Sequence, residues 1–157
     1  MIKEKMGDAA EAPQEIGDVE NLESLKQYDG LIVGSPTWNT GADEERSGTA
    51  WDNKLGSIKR MDLGGKPVAC FGVGDSANYG DYYCDALEEI YSIFSNAKGK
   101  MVGKWAYSEG EYEHTYSKAE IEPGVFCGLA LDQDNQDDLT PARVDKWVAQ
   151  IRQEMGV

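Results

Sequence analysis

The sequence has little of what a metal site or a disulfide framework needs. It contains one histidine and three cysteines in 157 residues, and no two cysteines are spaced as C-x-x-C. An odd number of scattered cysteines argues against a disulfide framework and against a structural zinc site. We therefore expect no bound metal and a reducing compartment.

Long apolar runs and basic residues are also scarce. No stretch approaches the roughly 20 apolar residues of a membrane helix. Residues 1–12 lack the apolar core of a secretory signal and are too acidic for a transit peptide. The 29 acidic residues outnumber the 15 basic ones and give a net charge of −14. Nucleic acid and anionic membranes would repel such a chain, whereas a basic protein would attract it.

Short apolar runs alternate with amphipathic segments along the chain. Residues 30–34 and 67–72 are apolar on both faces, as in buried parallel strands, and residues 101–106 and 125–131 are further strand candidates. Residues 81–98 carry apolar side chains at helical spacing. The pattern predicts one α/β domain over residues 1–157, with a parallel sheet between helices. The polar segment that joins the last two strand candidates, rich in Gly, Glu and Tyr, reads as an exposed insertion.

Two loops that follow predicted strands each carry one large aromatic residue. In open parallel sheets, ligands bind at the carboxyl ends of the strands. The first loop reads SPTWNTG and contains Trp38, and the second reads GVGDSANY and contains Tyr79. Two such rings can stack on both faces of a flat conjugated ligand, each adding about 0.5–1.5 kcal/mol. The alternative is that Trp38 and Tyr79 simply cover the end of the core.

The segments GSPTWNTGADEERSGTAWD and FGVGDSANYGDYYCDALEEI resemble the two flavin-binding loops of flavodoxins, most closely the long-chain flavodoxins of eukaryotic algae. The similarity continues through the insertion, through GLALDQDNQDDLT and into the last helix, so it covers nearly the whole chain. It implies a flavodoxin-like three-layer sandwich, a sheet of order 2-1-3-4-5, and FMN as the cofactor.

The resemblance also implies which residues hold the cofactor. Trp38 and Tyr79 would stack on opposite faces of the isoalloxazine ring. The backbone of residues 39–41 would lie at its N5 edge, and the backbone of residues 74–75 would bond its pyrimidine end. The expected cofactor-binding residues are Thr37, Trp38, Asn39, Thr40, Gly41, Gly74, Asp75, Tyr79, Tyr82, Cys84, Asp85 and Asp134.

One part of the family pattern is not found in this sequence. Flavodoxins begin with a hydrophobic strand and a T-x-T-G-x-T loop, whose N–H groups and hydroxyls wrap the FMN phosphate. Residues 2–8 instead resemble the end of the helix that follows this loop. We therefore expect an N-terminally truncated domain that lacks strand 1. The strand near Leu31 would then expose an apolar edge, and FMN would bind weakly.

The resemblance implies a one-electron carrier and not an enzyme, because the cofactor itself carries the chemistry. Each carboxylate at ~8 Å from the ring would oppose full reduction by about 2 kcal/mol, or roughly 90 mV, at a permittivity of ~20. The implied partners are photosystem I and ferredoxin–NADP reductase, with Asp43, Glu44 and Glu45 at the docking edge. The implied location is the chloroplast stroma, or else the cytoplasm, and the protein would be a monomer.

Two other classes of function fit parts of this pattern. A flavin-free scaffold that docks on a basic redox protein would share the charge but would show no visible flavin absorption. A flavin-dependent quinone reductase would need an open substrate pocket beside the ring, and Trp38 over one face argues against it.

Other polar residues read as solvated. The sole histidine, His114, lies in a Glu/Tyr-rich segment. No local motif supports its pairing with a catalytic cysteine. The acids of residues 132–138 lack the glycine and the terminal glutamate of a calcium-binding EF-hand loop.

Overall fold

The computed structural model describes residues 1–37 and 47–157. Its helices are α1 (Ile2–Met6), α2 (Leu55–Ile58), α3 (Asp85–Asn96) and α4 (Thr140–Met155). Its strands are β1 (Leu31–Pro36), β2 (Pro67–Gly74), β3 (Lys100–Val102), β4 (Trp105–Ala106), β5 (Glu120–Glu122), β6 (Val125–Phe126) and β7 (Leu129–Asp132). Short 3₁₀ helices lie at Gly7–Ala9, Ile16–Asp18, Leu22–Gln27, Ala50–Asn53 and Asp137–Leu139. No helix in the described ranges is both long and apolar enough to cross a membrane.

Several residues named from the sequence lie outside the described residues. They are Trp38, Asn39, Thr40, Gly41, Asp43, Glu44 and Glu45.

Strand β2 lies at the centre of the parallel sheet. Along one edge it pairs with β1, with Val33 opposite Cys70. Along its other edge it pairs first with β3 and then with β7, where Phe71 lies opposite Leu129. Within the described ranges β1 has no second neighbour, which is the open edge expected from the sequence.

Alternate residues of β2 face opposite helical layers. Phe71 packs edge-on against Trp147 of α4, with ring centroids 6.4 Å apart. A Cβ at Gly72 would lie 2.9 Å from Leu87 of α3. Helix α2 packs beside α3, and α1 packs beside α4. The predicted three-layer α/β sandwich with a parallel sheet is therefore confirmed.

The two later strand predictions were partly wrong. The segment predicted as one strand over residues 101–106 divides into β3 and β4, and the segment over residues 125–131 divides into β6 and β7. The physical reason is that β4 and β6 belong to a second, antiparallel sheet of order β4-β6-β5. Each apolar run therefore supplies strands to two sheets, and the chain leaves the parallel sheet between β3 and β7. We call residues 103–128 the insertion.

The insertion has a buried interior, which the prediction of an exposed segment missed. Tyr107 stacks on Phe126 with centroids 4.5 Å apart and an angle of 16° between the ring planes. His114 is not solvated as predicted, since its side chain is only 7% exposed. Phe126, His114 and Tyr112 pack around Tyr83, which precedes α3, and Tyr107 packs against those three rings. The five residues form an aromatic cluster between the insertion and the main domain.

Candidate functional site

The carboxyl ends of β1, β2 and β7 lie side by side in the sheet. Thr37 follows β1 and lies between the end of β2 and the first turn of α3. Its N–H donates to the carbonyl oxygen of Val73 at 2.9 Å, and its hydroxyl oxygen accepts from the N–H of Ala86 at 3.3 Å. The segment after β2, residues 75–84, is called the strand-end loop below.

The side chain of Asp75 shapes the strand-end loop. One carboxylate oxygen accepts from the N–H groups of Ala77 and Asn78, at 3.2 and 2.9 Å. The other accepts from the amide of Asn78 at 2.8 Å. The Asn78 N–H bond lowers the pKa of the Asp75 carboxyl, because hydrogen bonds to the charged form stabilise it. The carboxylate is therefore committed to holding the loop in shape.

Asp132 joins the strand-end loop to the end of β7. It is fully buried, so the prediction that the whole acidic segment is solvated was wrong. Its carboxylate accepts from the N–H of Ser76 at 3.0 Å and from the Ser76 hydroxyl. The Asn135 side-chain amide bridges Asp132 and Asp75, at 2.9 and 2.8 Å. These bonds compensate the buried charge, whereas Asp134 in the same turn is exposed as predicted.

The insertion braces the strand-end loop with hydrogen bonds. The carbonyl oxygen of Gly80 accepts from the N–H groups of Thr115 and Tyr116, at 3.1 and 3.0 Å. The Ser76 hydroxyl accepts from the N–H of Glu113 at 3.2 Å, and the Ser117 hydroxyl donates to the carbonyl of Tyr83. The position of the loop therefore depends on the insertion.

Two glycines permit close packing of this loop. A Cβ at Gly80 would lie 2.8 Å from the carbonyl oxygen of Ser76 and 3.2 Å from Cα of His114. A Cβ at Gly74 would lie 3.0 Å from the backbone nitrogen of Cys84. Any larger residue at either position would push the loop away from its supports.

Two tyrosines of the loop point their rings to the surface. Tyr79 is 56% exposed and Tyr82 is 41% exposed. A flat conjugated ligand would cover these apolar faces, so the residues present fit an isoalloxazine ring. The structure thus brings Thr37, Gly74, Asp75, Tyr79 and Tyr82 to the same end of the sheet.

Cys84 and Asp85 lie deeper than the tyrosines. Cys84 has a left-handed backbone (φ 56°), and its thiol is fully buried, which raises the pKa of that thiol. Asp85 is 1% exposed, and one carboxylate oxygen accepts from the N–H of Lys118 at 3.0 Å. The other oxygen has no hydrogen-bond partner in the described structure. Burial raises the pKa of the Asp85 carboxyl, because it penalises the charged form.

The sequence reasoning missed the residues that hold the loop in place. Ser76 and Asn135 were not among the expected cofactor-binding residues, but their hydrogen bonds to Asp132 and Asp75 fix the strand-end loop. A signal was available, because both loops contain the pattern Asp-x-x-Asn, at residues 75–78 and 132–135. Aspartate side chains often accept hydrogen bonds from the backbone two or three residues ahead, as both do here.

Known proteins similar to this chain are flavodoxins. The family model described as flavodoxin matches residues 1–147. A flavodoxin of Nostoc sp. (strain PCC 7120) is 37% identical over 157 residues, which cover 100% of this chain and 88% of that protein. Flavodoxin 1 of Escherichia coli (strain K12) is 36% identical over 160 residues, covering 99% and 84%. The crystal structure of Fusobacterium nucleatum flavodoxin bound to flavin mononucleotide superposes with a TM-score of 0.83 at 28% identity, covering 98% and 86%.

Proposed function

The chain belongs to the flavodoxin family, and from this premise we propose that it carries single electrons at low potential on an FMN ring held at the carboxyl ends of β1, β2 and β7. It is an electron-transfer protein and not an enzyme with its own substrate. FMN, when bound, accepts and releases the electrons. The residues of the chain bind the ring, orient it and surround it with charge.

The observation that carries this proposal is the setting of Tyr79. Its ring is 56% exposed, yet its backbone is fixed on both sides. The Tyr79 N–H donates to the carbonyl oxygen of Asp75 at 3.1 Å, and its own carbonyl accepts from the N–H of Tyr82 at 3.0 Å. A large aromatic ring presented on a fixed loop loses little freedom on binding. Tyr79 is therefore the proposed platform for one face of the flavin, and Trp38 is the proposed cover of the other.

For the other proposed cofactor contacts, the structure indicates whether the backbone or the side chain would bind. Gly74 and Asp75 are proposed to contact the cofactor through their backbones, because the Asp75 carboxylate is committed to its loop. Cys84 stays a proposed contact, although the whole residue is 0% exposed in this structure. Asp85 and Asp134 are proposed to lie near the ribityl chain. The proposed contacts also include Thr37, Asn39, Thr40, Gly41 and Tyr82.

The charge of the molecule supports a low potential and a basic partner. The net charge is −14, and two exposed acids lie at this end of the sheet, Asp81 in the strand-end loop and Asp134 in the turn after β7. Negative charge opposes addition of electrons to the ring and attracts a partner with a basic surface. The proposed partners are photosystem I and ferredoxin–NADP reductase, and the proposed location is the chloroplast stroma.

FMN titration of two matched tyrosine variants tests this proposal. Tyr79→Ala removes the proposed platform, while Tyr116→Ala removes a ring of similar exposure, 59% against 56%. With flavin fluorescence quenching as the readout, we expect Tyr79→Ala to weaken FMN binding by about tenfold and Tyr116→Ala by less than about twofold. Equal losses would contradict the assignment of Tyr79. Absence of any quenching in the unsubstituted protein would favour the flavin-free scaffold instead.

A further inference from the structure

Three exposed tyrosines lie where the insertion meets the strand-end loop. Tyr79 and Tyr82 of that loop are 56% and 41% exposed, and Tyr116 of the insertion is 59% exposed. Away from the two chain ends, Leu139 is the only other large hydrophobic side chain of the described residues that is exposed. Exposed apolar surface is therefore concentrated at one place, and such a concentration marks a contact site.

Backbone hydrogen bonds bring these tyrosines together. The N–H of Tyr116 donates to the carbonyl oxygen of Gly80 at 3.0 Å, and the N–H of Tyr82 donates to the carbonyl oxygen of Tyr79 at 3.0 Å. The two segments approach closely, since a Cβ at Gly80 would lie 3.2 Å from Cα of His114. The backbone that carries the rings is thus fixed before a partner arrives, which reduces the entropy lost on binding.

The side chains next to these rings are acidic. Asp81 and Glu113 are both exposed, and the Thr115 hydroxyl donates to one Asp81 carboxylate oxygen, which ties this acid to the insertion. Residues 67–97 and 105–117, which include both segments, contain no lysine or arginine. We call the three tyrosines, Asp81 and Glu113 the tyrosine surface. It combines aromatic faces with negative charge and contains no cation of its own.

We propose that the tyrosine surface binds arginine side chains of a basic protein partner. A guanidinium stacks on an aromatic face and also donates N–H bonds to a carboxylate, so rings and acids side by side meet both requirements. A lysine ammonium is more strongly hydrated and gains less from a ring face. Nucleic acid and anionic lipid carry the same sign of charge as Asp81 and Glu113 and would be repelled.

This inference deepens the proposed function, and it rests on that function only for the kind of partner, a redox protein. Tyr79 is the proposed platform for one face of the flavin, whereas Tyr116 is not among the proposed cofactor contacts. An arginine held at Tyr116 would therefore lie near the flavin without displacing it. The insertion would then contribute to docking as well as to the position of the strand-end loop.

Two peptides of equal charge test the preference for arginine. The probes are acetylated and amidated octapeptides, one of alternating glycine and arginine and the other of alternating glycine and lysine. Backbone amide shifts in ¹⁵N–¹H NMR titrations at about 150 mM salt give the dissociation constants. We expect the arginine peptide to bind at least about threefold more tightly, with the largest shifts in residues 79–82 and 113–117. Equal affinities, or shifts spread over the whole acidic protein, would overturn the proposal.

Matched variants locate the preference in the ring of Tyr116. Tyr116→Phe keeps the ring and should keep the ratio of the two affinities, whereas Tyr116→Ala should lower that ratio to below about 1.5. Leu139→Ala removes an apolar side chain that is 40% exposed but lies outside the tyrosine surface, and it should leave the ratio unchanged. An unchanged ratio in Tyr116→Ala, or an equal fall in Leu139→Ala, would contradict the assignment.

Charge-matched variants test the acidic part of the surface. Asparagine at position 81 keeps an oxygen for the Thr115 hydroxyl but removes the charge, and Glu122→Gln removes an exposed carboxylate that pairs with Lys104 at 3.3 Å. We expect Asp81→Asn to weaken binding of the arginine peptide at least about threefold and Glu122→Gln less than about 1.5-fold. Equal losses would show general attraction to an acidic protein and would overturn the proposal.

The result is separable from that of the FMN titration. FMN binding without any arginine preference would leave the electron-carrier proposal in place and overturn the docking surface. An arginine preference that is lost in Tyr116→Ala, together with no FMN binding, would support the docking surface and contradict the electron-carrier proposal. The peptide titrations are therefore run both with excess FMN and without it.

Discussion

The parallel sheet and the insertion are held together in different ways. Around β2, aliphatic side chains such as Val68, Leu87 and Ile151 pack between continuous strands and two helical layers. In the insertion the strands are two or three residues long, and aromatic rings with hydrogen-bonded hydroxyls replace the aliphatic core. The Tyr112 hydroxyl, for example, donates to the carbonyl of Ala130 at 2.9 Å. We therefore expect the insertion to depend for its stability on the main domain, through the same contacts that support the strand-end loop.

Phe126→Ala is the substitution in the insertion that we expect to destabilise the protein most. Phe126 is fully buried and contacts both Tyr107 within the insertion and Tyr83 of the main domain. Because the insertion packs against Tyr83, we expect Phe126→Ala to lower the global free energy of unfolding by about 3–4 kcal/mol. Urea denaturation followed by near-UV circular dichroism measures it.

Leu87→Ala in α3 is the matched control for that variant. Leu87 is fully buried against β2, and its truncation is expected to cost about 2–5 kcal/mol. Should Leu87→Ala shift the unfolding midpoint while Phe126→Ala leaves it in place, the insertion would be an independently opening unit, contrary to the interpretation above.

The difference between the parallel sheet and the insertion also explains which parts of the fold could be predicted from the sequence. The central strands were predictable because residues 67–72 are apolar on both faces over a full strand length. The insertion was not, because strands of two residues have too few positions to show alternation. The burial of His114 depends on contact with Tyr83, 31 positions earlier in the sequence.

In the candidate site, too, some features could be predicted from the sequence and others could not. The strand-end position of Tyr79 followed from the strand boundary and from the family motif. The burial of Asp132 did not, because its polar neighbours along the chain suggest solvent, and its partner Ser76 lies 56 residues away. Compensation between distant polar groups leaves no local periodicity in the sequence.

Ser76→Ala is expected to have an intermediate effect. The Ser76 hydroxyl donates to buried Asp132 and accepts from the N–H of Glu113, so its removal takes one of several hydrogen bonds from Asp132 and leaves the Glu113 N–H without this partner. The expected loss is about 1–3 kcal/mol in the free energy of unfolding, with faster hydrogen exchange at the Glu113 amide. The exposed Ser57→Ala in α2 should stay within about 0.5 kcal/mol of the unsubstituted protein. Unchanged exchange at Glu113 would show that the insertion holds its position without this anchor.

The smallest effects are expected from two carboxyls whose pH dependence has opposite sign. Asp85 bonds the insertion, and burial raises its pKa in the folded state above the unfolded value of about 3.9. Its contribution to stability is present below that value and is lost as the pH rises through the folded pKa. Asp75 bonds its own loop, and the Asn78 N–H lowers its pKa. Its contribution is present above about pH 3.9 and is lost as the pH falls through the folded pKa.

Asp85→Asn and Asp75→Asn therefore test the two sides of the loop separately, through the pH dependence of their stability. Relative to the unsubstituted protein, Asp85→Asn should become more stable as the pH rises above about 4, because it removes a buried charge. Asp75→Asn should become less stable as the pH rises from about 3, because it cannot gain the stabilised carboxylate. Urea unfolding of all three proteins between about pH 3 and pH 7 isolates each group from the other carboxylates, since only the difference from the unsubstituted protein is compared. If both differences changed with pH in the same direction, the raised pKa of Asp85 and its burial beneath the insertion would be wrong.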